Sequence, residues 1–154
     1  MSSVEASTQF AKKYLEDILS FFGLNADVQA VSSDGEVIEL SIPSTHLNGF
    51  LIGHNGETMR ALQFLVGSAL KNQDFAIARV SVDVADYKKQ RADRMIQKAE
   101  EWVSAVRATN EPVVLPAMNA TDRRTVHQYA SEQGLLSESA GEGMERHIIL
   151  KPAV

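Results

Sequence analysis

Two short patterns in the 154-residue sequence have the residue types and spacing to hold a phosphate. The first is Gly53-His54-Asn55-Gly56, preceded by Ile52 and followed by Arg60. Glycine tolerates backbone conformations that bring main-chain amides close to a ligand, and a helix beginning just after the loop would add the positive end of its dipole. The second is Arg123-x-x-x-His127, with Arg124 beside the arginine. Four residues make about one helical turn, roughly 6 Å of rise, so guanidinium and imidazole share a face and can clamp a phosphate or stack on a base. Each pattern also has a plainer reading. Gly-x-x-Gly serves as a tight turn between helices, and an Arg–His pair at this spacing occurs on ordinary solvated faces.

The surrounding sequence supplies elements to position both. Residues 8–22 place Phe10, Tyr14, Leu15 and Ile18 at helical spacing, and Gly23 follows as a stop. Residues 27–31 and 36–42 read as two strands joined by Ser32-Ser33-Asp34-Gly35, with Pro43 closing the second. A short helix is expected over 44–51. The glycines separate it from a longer amphipathic run over 57–70, with Met59, Leu62, Phe64, Leu65 and Val66 directed inward. A strand over 76–84 follows, then a long helix over 86–108 whose buried stripe is Met95, Ile96, Ala99, Trp102, Val103 and Val106. Pro112 prevents that helix from continuing. Val113–Leu115 reads as a short strand. Asn119, with Asp122 three residues on, reads as the N-cap of a helix reaching Gln133, its buried stripe being Val126, Tyr129, Ala130 and the stem of Gln133. A hairpin with arms 135–139 and 145–150 finishes the pattern. The fold class is therefore α/β, in the α+β sense.

Net charge is −5, a balance that by itself disfavours nucleic acid, since phosphate affinity comes from lysine and arginine. The charge is uneven. Residues 1–46 carry two bases against seven acids, whereas residues 87–108 carry six bases against three acids. The long helix thus offers a basic face or, in the plainer reading, a helix laced with i,i+4 pairs. With no cysteine, disulfides and thiolate chemistry are excluded. The four histidines lack paired metal spacing, and no phosphate loop ending in Gly-Lys-Ser/Thr occurs. No catalytic residue, metal or cofactor is expected. No run of roughly 18 apolar residues appears, and Met1–Ser7 has no signal-peptide pattern, so a cytoplasmic protein without a membrane span is expected.

The segment Phe50-Leu51-Ile52-Gly53-His54-Asn55-Gly56-Glu57-Thr58-Met59-Arg60-Ala61-Leu62-Gln63-Phe64-Leu65-Val66 resembles the KH segment of the bacterial Jag family, also called KhpB or EloR. The order α-β-β-α-α-β around it matches the type II KH domain and not type I. Met118-Asn119-Ala120-Thr121-Asp122-Arg123-Arg124-Thr125-Val126-His127 resembles the R-three-H domain that follows KH in that family, and Ser139, Gly141, Arg146 and Ile148 fit its closing hairpin. The resemblance covers about residues 8–151. It implies a type II KH domain at 1–86 and a small α/β R-three-H domain at 87–154. It also implies non-catalytic binding of single-stranded RNA, single-stranded DNA being an alternative ligand. The implied contact residues are Ile52, Gly53, His54, Asn55, Gly56 and Arg60 in the first domain and Arg123, Arg124, His127 and Arg146 in the second. Further implications are a role as RNA chaperone or post-transcriptional regulator linked to cell elongation and division, and a small single-KH protein as partner. Two departures qualify this. The family's loop pair is commonly basic, whereas here it is His54-Asn55, and many members begin with a Jag-N domain that is expected to be absent here. The rival expectation is a protein–protein interaction module that keeps a KH fold but has little affinity for RNA.

Overall fold

The computed structural model describes residues 3–153. They divide into two compact units, the break falling between Lys88 and Lys89.

The first unit contains α1 (Ser3–Ser20), β1 (Gln29–Val31), β2 (Val37–Ile42), α2 (Asn48–Ile52), a single 3-10 turn at His54–Gly56, α3 (Glu57–Asn72) and β3 (Arg79–Val84). The predicted order of helices and strands is the order found. β2 is the central strand, antiparallel to β1 and parallel to β3. Its alternation puts Ile38, Leu40 and Ile42 on the same buried face as Val80, Val82 and Val84 of β3. Ala11, Leu15 and Leu19 of α1 and Met59, Leu62, Val66 and Leu70 of α3 complete this core. The strands are shorter at their starts than the β-branched runs suggest. β3 begins at Arg79, where pairing with Val37 begins, and the preceding Ile77 donates its amide to the buried Ser7 hydroxyl instead. At the β1–β2 turn Asp34 accepts the amides of Glu36 and Val37, which hold its carboxyl below the usual carboxylate range.

One expectation from the sequence is corrected on α3. Apolar character directs Phe64 and Leu65 inward, but they are 72% and 46% exposed, because the core takes only the Met59–Leu62–Val66–Leu70 face.

α4 (Tyr87–Thr109) starts on the amide of Lys88, which donates to the Asp83 carboxylate. The second unit takes up the rest of this helix and adds β4 (Val113–Val114), α5 (Ala120–Glu132), β5 (Leu136–Ala140), a 3-10 turn at Gly143–Glu145 and β6 (His147–Lys151). The strand order β4-β6-β5 is antiparallel throughout, with the chain's last strand in the centre. Its core cluster is small: Met95, Val106, Leu115, Val126, Ala130, Ile148 and Leu150, flanked by the half-buried Trp102. Ile96 and Trp102 are only partly buried, as are Tyr129 and Gln133, because the apolar stripes of α4 and α5 are narrower than periodicity suggests. Among the described residues no helix is long and apolar enough to cross a membrane.

Candidate nucleic-acid interface

The Gly53–Gly56 loop is a strained reversal between α2 and α3. Gly53 (φ 73°, ψ −176°), Asn55 (φ 52°) and Gly56 (φ 79°) all have positive φ. Only glycine enters the Gly53 region without cost. A Cβ there would also lie 2.3 Å from Thr58 Oγ1 and 2.8 Å from the Thr58 amide nitrogen, so the loop packs directly on the first turn of α3. Gly53→Ala is therefore expected to lose about 1–3 kcal/mol in the first unit, since the strain and clash must be relieved by rebuilding the loop. Gly49→Ala, at an open position, is the control, and equal thermal stability of the two variants would contradict the packing described.

His54 and Asn55 point into solvent and touch each other, Asn55 Nδ2 to His54 Nε2 at 3.2 Å. Arg60 reaches back to donate to the Asn55 carbonyl at 2.8 Å, and Ile52 is half-buried at the end of α2. The expected amide cradle is largely spent inside the loop. Gly53 donates to the Gly49 carbonyl, Gly56 to Gly53, and Glu57 to His54.

What the loop lacks is supplied alongside it. An open groove of about 760 Å3 runs between α3 and the β2–β3 edge, lined by Arg60, Gln63, Phe64, Gly67 and Lys71 on one side and Ala78–Ser81 on the other. Lys88, hydrogen-bonded to Ser81 at 2.7 Å, adds a cation beside it. Sequence reasoning misses Phe64 by assigning it to the core. It misses Lys71 and Arg79 because nothing local relates a helix face to a strand edge.

In the second unit the Asn119 carboxamide oxygen caps α5 by accepting the Asp122 amide at 2.9 Å. That cap fixes the helical phase, so Arg123 and His127 project from one face while Asp122 turns inward. The Asp122 carboxylate takes both Nε and Nη2 of Arg91, at 2.9 and 2.6 Å, in a bidentate pair whose Asp122 side chain is only 5% exposed.

His127 is held at both nitrogens, Nδ1 to Ser137 Oγ at 2.6 Å and Nε2 to Ser139 Oγ at 2.9 Å. A neutral imidazole has one donor and one acceptor, and two hydroxyls can satisfy both. Arg123 donates to the Met118 carbonyl and Arg146 to the Gly141 carbonyl at 2.7 Å. Burial of the ring, followed by the positive charges of Arg123 and Arg146, holds His127 below its ordinary pKa of 6.5. Arg123, His127 and Arg146, 23 positions apart at their extremes, thus share one electrostatic neighbourhood. Arg124 is exposed on α5 outside these contacts. Spacing alone leaves Arg123 and His127 freely accessible; in the structure both are half-buried and tied to neighbours. Ser137, which no local motif singles out, sits on the same side of β5 as Ser139 by the strand's two-residue alternation.

The depressed pKa sets a direction for stability. The unfolded chain takes up a proton near pH 6.5, while folded His127 resists it to lower pH. Stability from this site is fully present above about pH 6.5 and is lost as pH falls towards the folded pKa. Melts of the second unit followed by Trp102 fluorescence should show this loss, and His127→Gln should flatten it; an unchanged pH slope in the variant would contradict the assignment.

Among the described residues no cluster of three or more histidine, aspartate or glutamate side chains is placed to hold a metal. Comparison with known proteins gives two kinds of similarity. Residues 93–152 match the family model of the R-three-H domain. Over 150 residues the chain is 29% identical to the RNA-binding protein KhpB of Bacillus subtilis (strain 168), the match covering 92% of this chain and 69% of that protein. The protein of the same name from Clostridium symbiosum is 25% identical over 142 residues, 91% of this chain and 64% of the relative. That from Lactiplantibacillus plantarum is 28% identical over 138 residues, 89% of this chain and 42% of the relative. This chain therefore spans between 42% and 69% of the lengths of these relatives. The arginine–histidine–serine cluster lies inside the segment of the second unit that matches the R-three-H domain, in a chain similar over most of its length to the proteins named KhpB.

Proposed function

We propose that this chain is a non-catalytic single-stranded RNA-binding protein, with a type II KH domain in the first unit and the R-three-H domain as a second contact surface. The observation that carries the reading is that Arg123 and Arg146 come together at Met118, whose carbonyl accepts from the Arg123 guanidinium and whose amide donates to the Arg146 carbonyl, with His127 one helical turn from Arg123, all within the R-three-H match. Two guanidiniums, each anchored by one donor and with further N–H groups to offer, suit phosphate oxygens. The homologues named RNA-binding protein KhpB support RNA as the ligand. The element order, the Gly53–Gly56 reversal and the cation-lined groove along α3 support the KH reading of the first unit. By the same resemblance the proposal extends to an RNA chaperone or post-transcriptional regulator linked to cell elongation and division, acting in the cytoplasm with a small single-KH protein.

One observation favours a second reading, a protein-contact module. Phe21, Phe22 and Phe50 are exposed, and Phe22 and Phe50 pack edge to face at 5.2 Å. A polarisation titration with a short single-stranded RNA at two salt concentrations separates the readings. Contacts to roughly three to five phosphates should weaken affinity on the order of 20- to 100-fold between 50 and 200 mM salt. Absent or salt-independent binding would shift the assignment to the protein-contact module.

A further inference from the structure

The groove along α3 contains an apolar ring where a phosphate-binding surface alone would need none. Arg60, Gln63, Phe64, Gly67 and Lys71 recur at intervals of three and four and so form one stripe facing the groove. Within this stripe Phe64 is 72% exposed, although burying a phenyl ring is ordinarily worth about 1.5–3 kcal/mol. Beside it the groove floor is narrow. A Cβ on Gly67 would lie 3.2 Å from the Ala78 carbonyl oxygen and 3.4 Å from Val80 Cγ2, so β3 comes directly against α3 and Phe64 stands at the rim.

The rest of the lining indicates what the ring faces. Arg60 and Lys71 flank Phe64 along the helix, about 6 Å and 10 Å away in rise, and Arg79 stands on the opposite wall. Among the described residues the lining contains these three cations and no carboxylate, although the chain as a whole is acidic. Gln63 Oε1 accepts the Val82 amide at 3.1 Å, which fixes the side chain and leaves its amide nitrogen as a donor. An aromatic face, a fixed amide donor and flanking cations match the base, base edge and phosphates of a single strand.

We infer that Phe64 is a stacking platform for one base of a single-stranded RNA lying in this groove, with Arg60, Lys71 and Arg79 on its phosphates. The inference rests on the RNA-binding reading and adds to it a contact residue outside the Gly-x-x-Gly loop. Stacking tolerates any base, because every base has a π face, so the platform contributes affinity more than sequence preference.

The test is a polarisation titration of the full chain with fluorescein-labelled oligouridylate, carried out both in the parent and with Arg123→Ala and Arg146→Ala in place, so that the first unit carries the remaining affinity. In that background Phe64→Ala is expected to weaken binding roughly 5- to 150-fold, the range for loss of one stacked base. Phe64→Trp should bind like Phe64, whereas Phe64→Leu should not. The Phe64→Ala loss should vanish on an abasic strand of the same length, which offers nothing to stack. Phe64→Leu binding as well as the parent would overturn stacking in favour of plain apolar contact. Unchanged affinity of Phe64→Ala, or no binding by the double-arginine background, would overturn the platform while leaving RNA binding by the R-three-H domain intact. Failure of the parent to bind RNA would overturn both.

Discussion

Asp122→Asn is expected to destabilise the second unit by about 3 kcal/mol, the largest effect on stability of any single substitution considered. The Asp122 side chain is 5% exposed and forms both parallel bonds to Arg91, which itself keeps 26% exposure. Breaking a buried pair by neutralising one partner typically costs about 3–5 kcal/mol, because the other charge loses the group that offset its desolvation. The low end applies here, since Arg91 retains some contact with water. Asp122 also lies in the first turn of α5, where a negative charge suits the helix dipole, so its loss adds a few tenths to about 1 kcal/mol. The unit has little apolar burial to spare: its core cluster holds seven buried side chains, against seventeen in the first unit. For a domain of this size the change corresponds to a fall in melting temperature of roughly 12–24 °C. Trp102 is the chain's single tryptophan and packs against the second core, so its fluorescence reports that unit alone. Replacing both partners, as Arg91→Met with Asp122→Leu, should recover part of the loss. A Trp102 transition shifted by less than a few degrees in Asp122→Asn would contradict the energetic role given to the pair.

The same pair shows where sequence reading stops. Asn119 as N-cap, with Asp122 three residues later, is legible because capping is local chemistry, and the carboxamide does accept the Asp122 amide. That Asp122 turns inward to Arg91, 31 residues away, is not legible, because no short-range rule links two charges brought together by packing. His127 is legible as a functional candidate by its one-turn spacing from Arg123. Its partners Ser137 and Ser139 become visible only when β5 lies against α5. The order α-β-β-α-α-β follows from periodicity and turn residues, since alternation in 37–42 and the glycine break at 53–56 are each local signals. Register is not local, and so the strands begin later than their composition suggests. Phe64 is the instructive error. Apolar spacing identifies residues able to be buried, but α3 has one wall against the core and another against an open groove, and only the fold distinguishes them. In the Gly53–Gly56 loop, the glycines announce positive φ, but the spending of three amides on internal carbonyls depends on how the chain closes.

Replacing Arg123 and Arg146 together with alanine is expected to produce the largest loss of RNA affinity. Each guanidinium is anchored by one donor to a carbonyl, Arg123 to Met118 and Arg146 to Gly141, so its orientation is set before a ligand arrives. Anchoring lowers the entropy lost on binding and leaves further N–H groups to meet phosphate oxygens. A charge-assisted hydrogen bond contributes about 1.5–3 kcal/mol, so each single substitution should weaken binding roughly 10-fold or more. The two side chains share the His127 neighbourhood, so their effects are not expected to add fully, and the double variant should lose on the order of 100-fold. Each single variant also gives up a bond to a carbonyl, costing about 1 kcal/mol of stability, and affinities must be compared on the folded fraction. A second readout does not depend on RNA. Both arginines push the His127 pKa down, so removing them should raise it towards 6.5, leaving burial as the remaining cause of its depression. An NMR titration of the His127 ring proton follows that shift directly. A raised His127 pKa with RNA affinity unchanged would confirm that the three residues adjoin while removing them from the RNA contact, and the binding face of the R-three-H domain would then have to be sought elsewhere, first at the exposed Arg124.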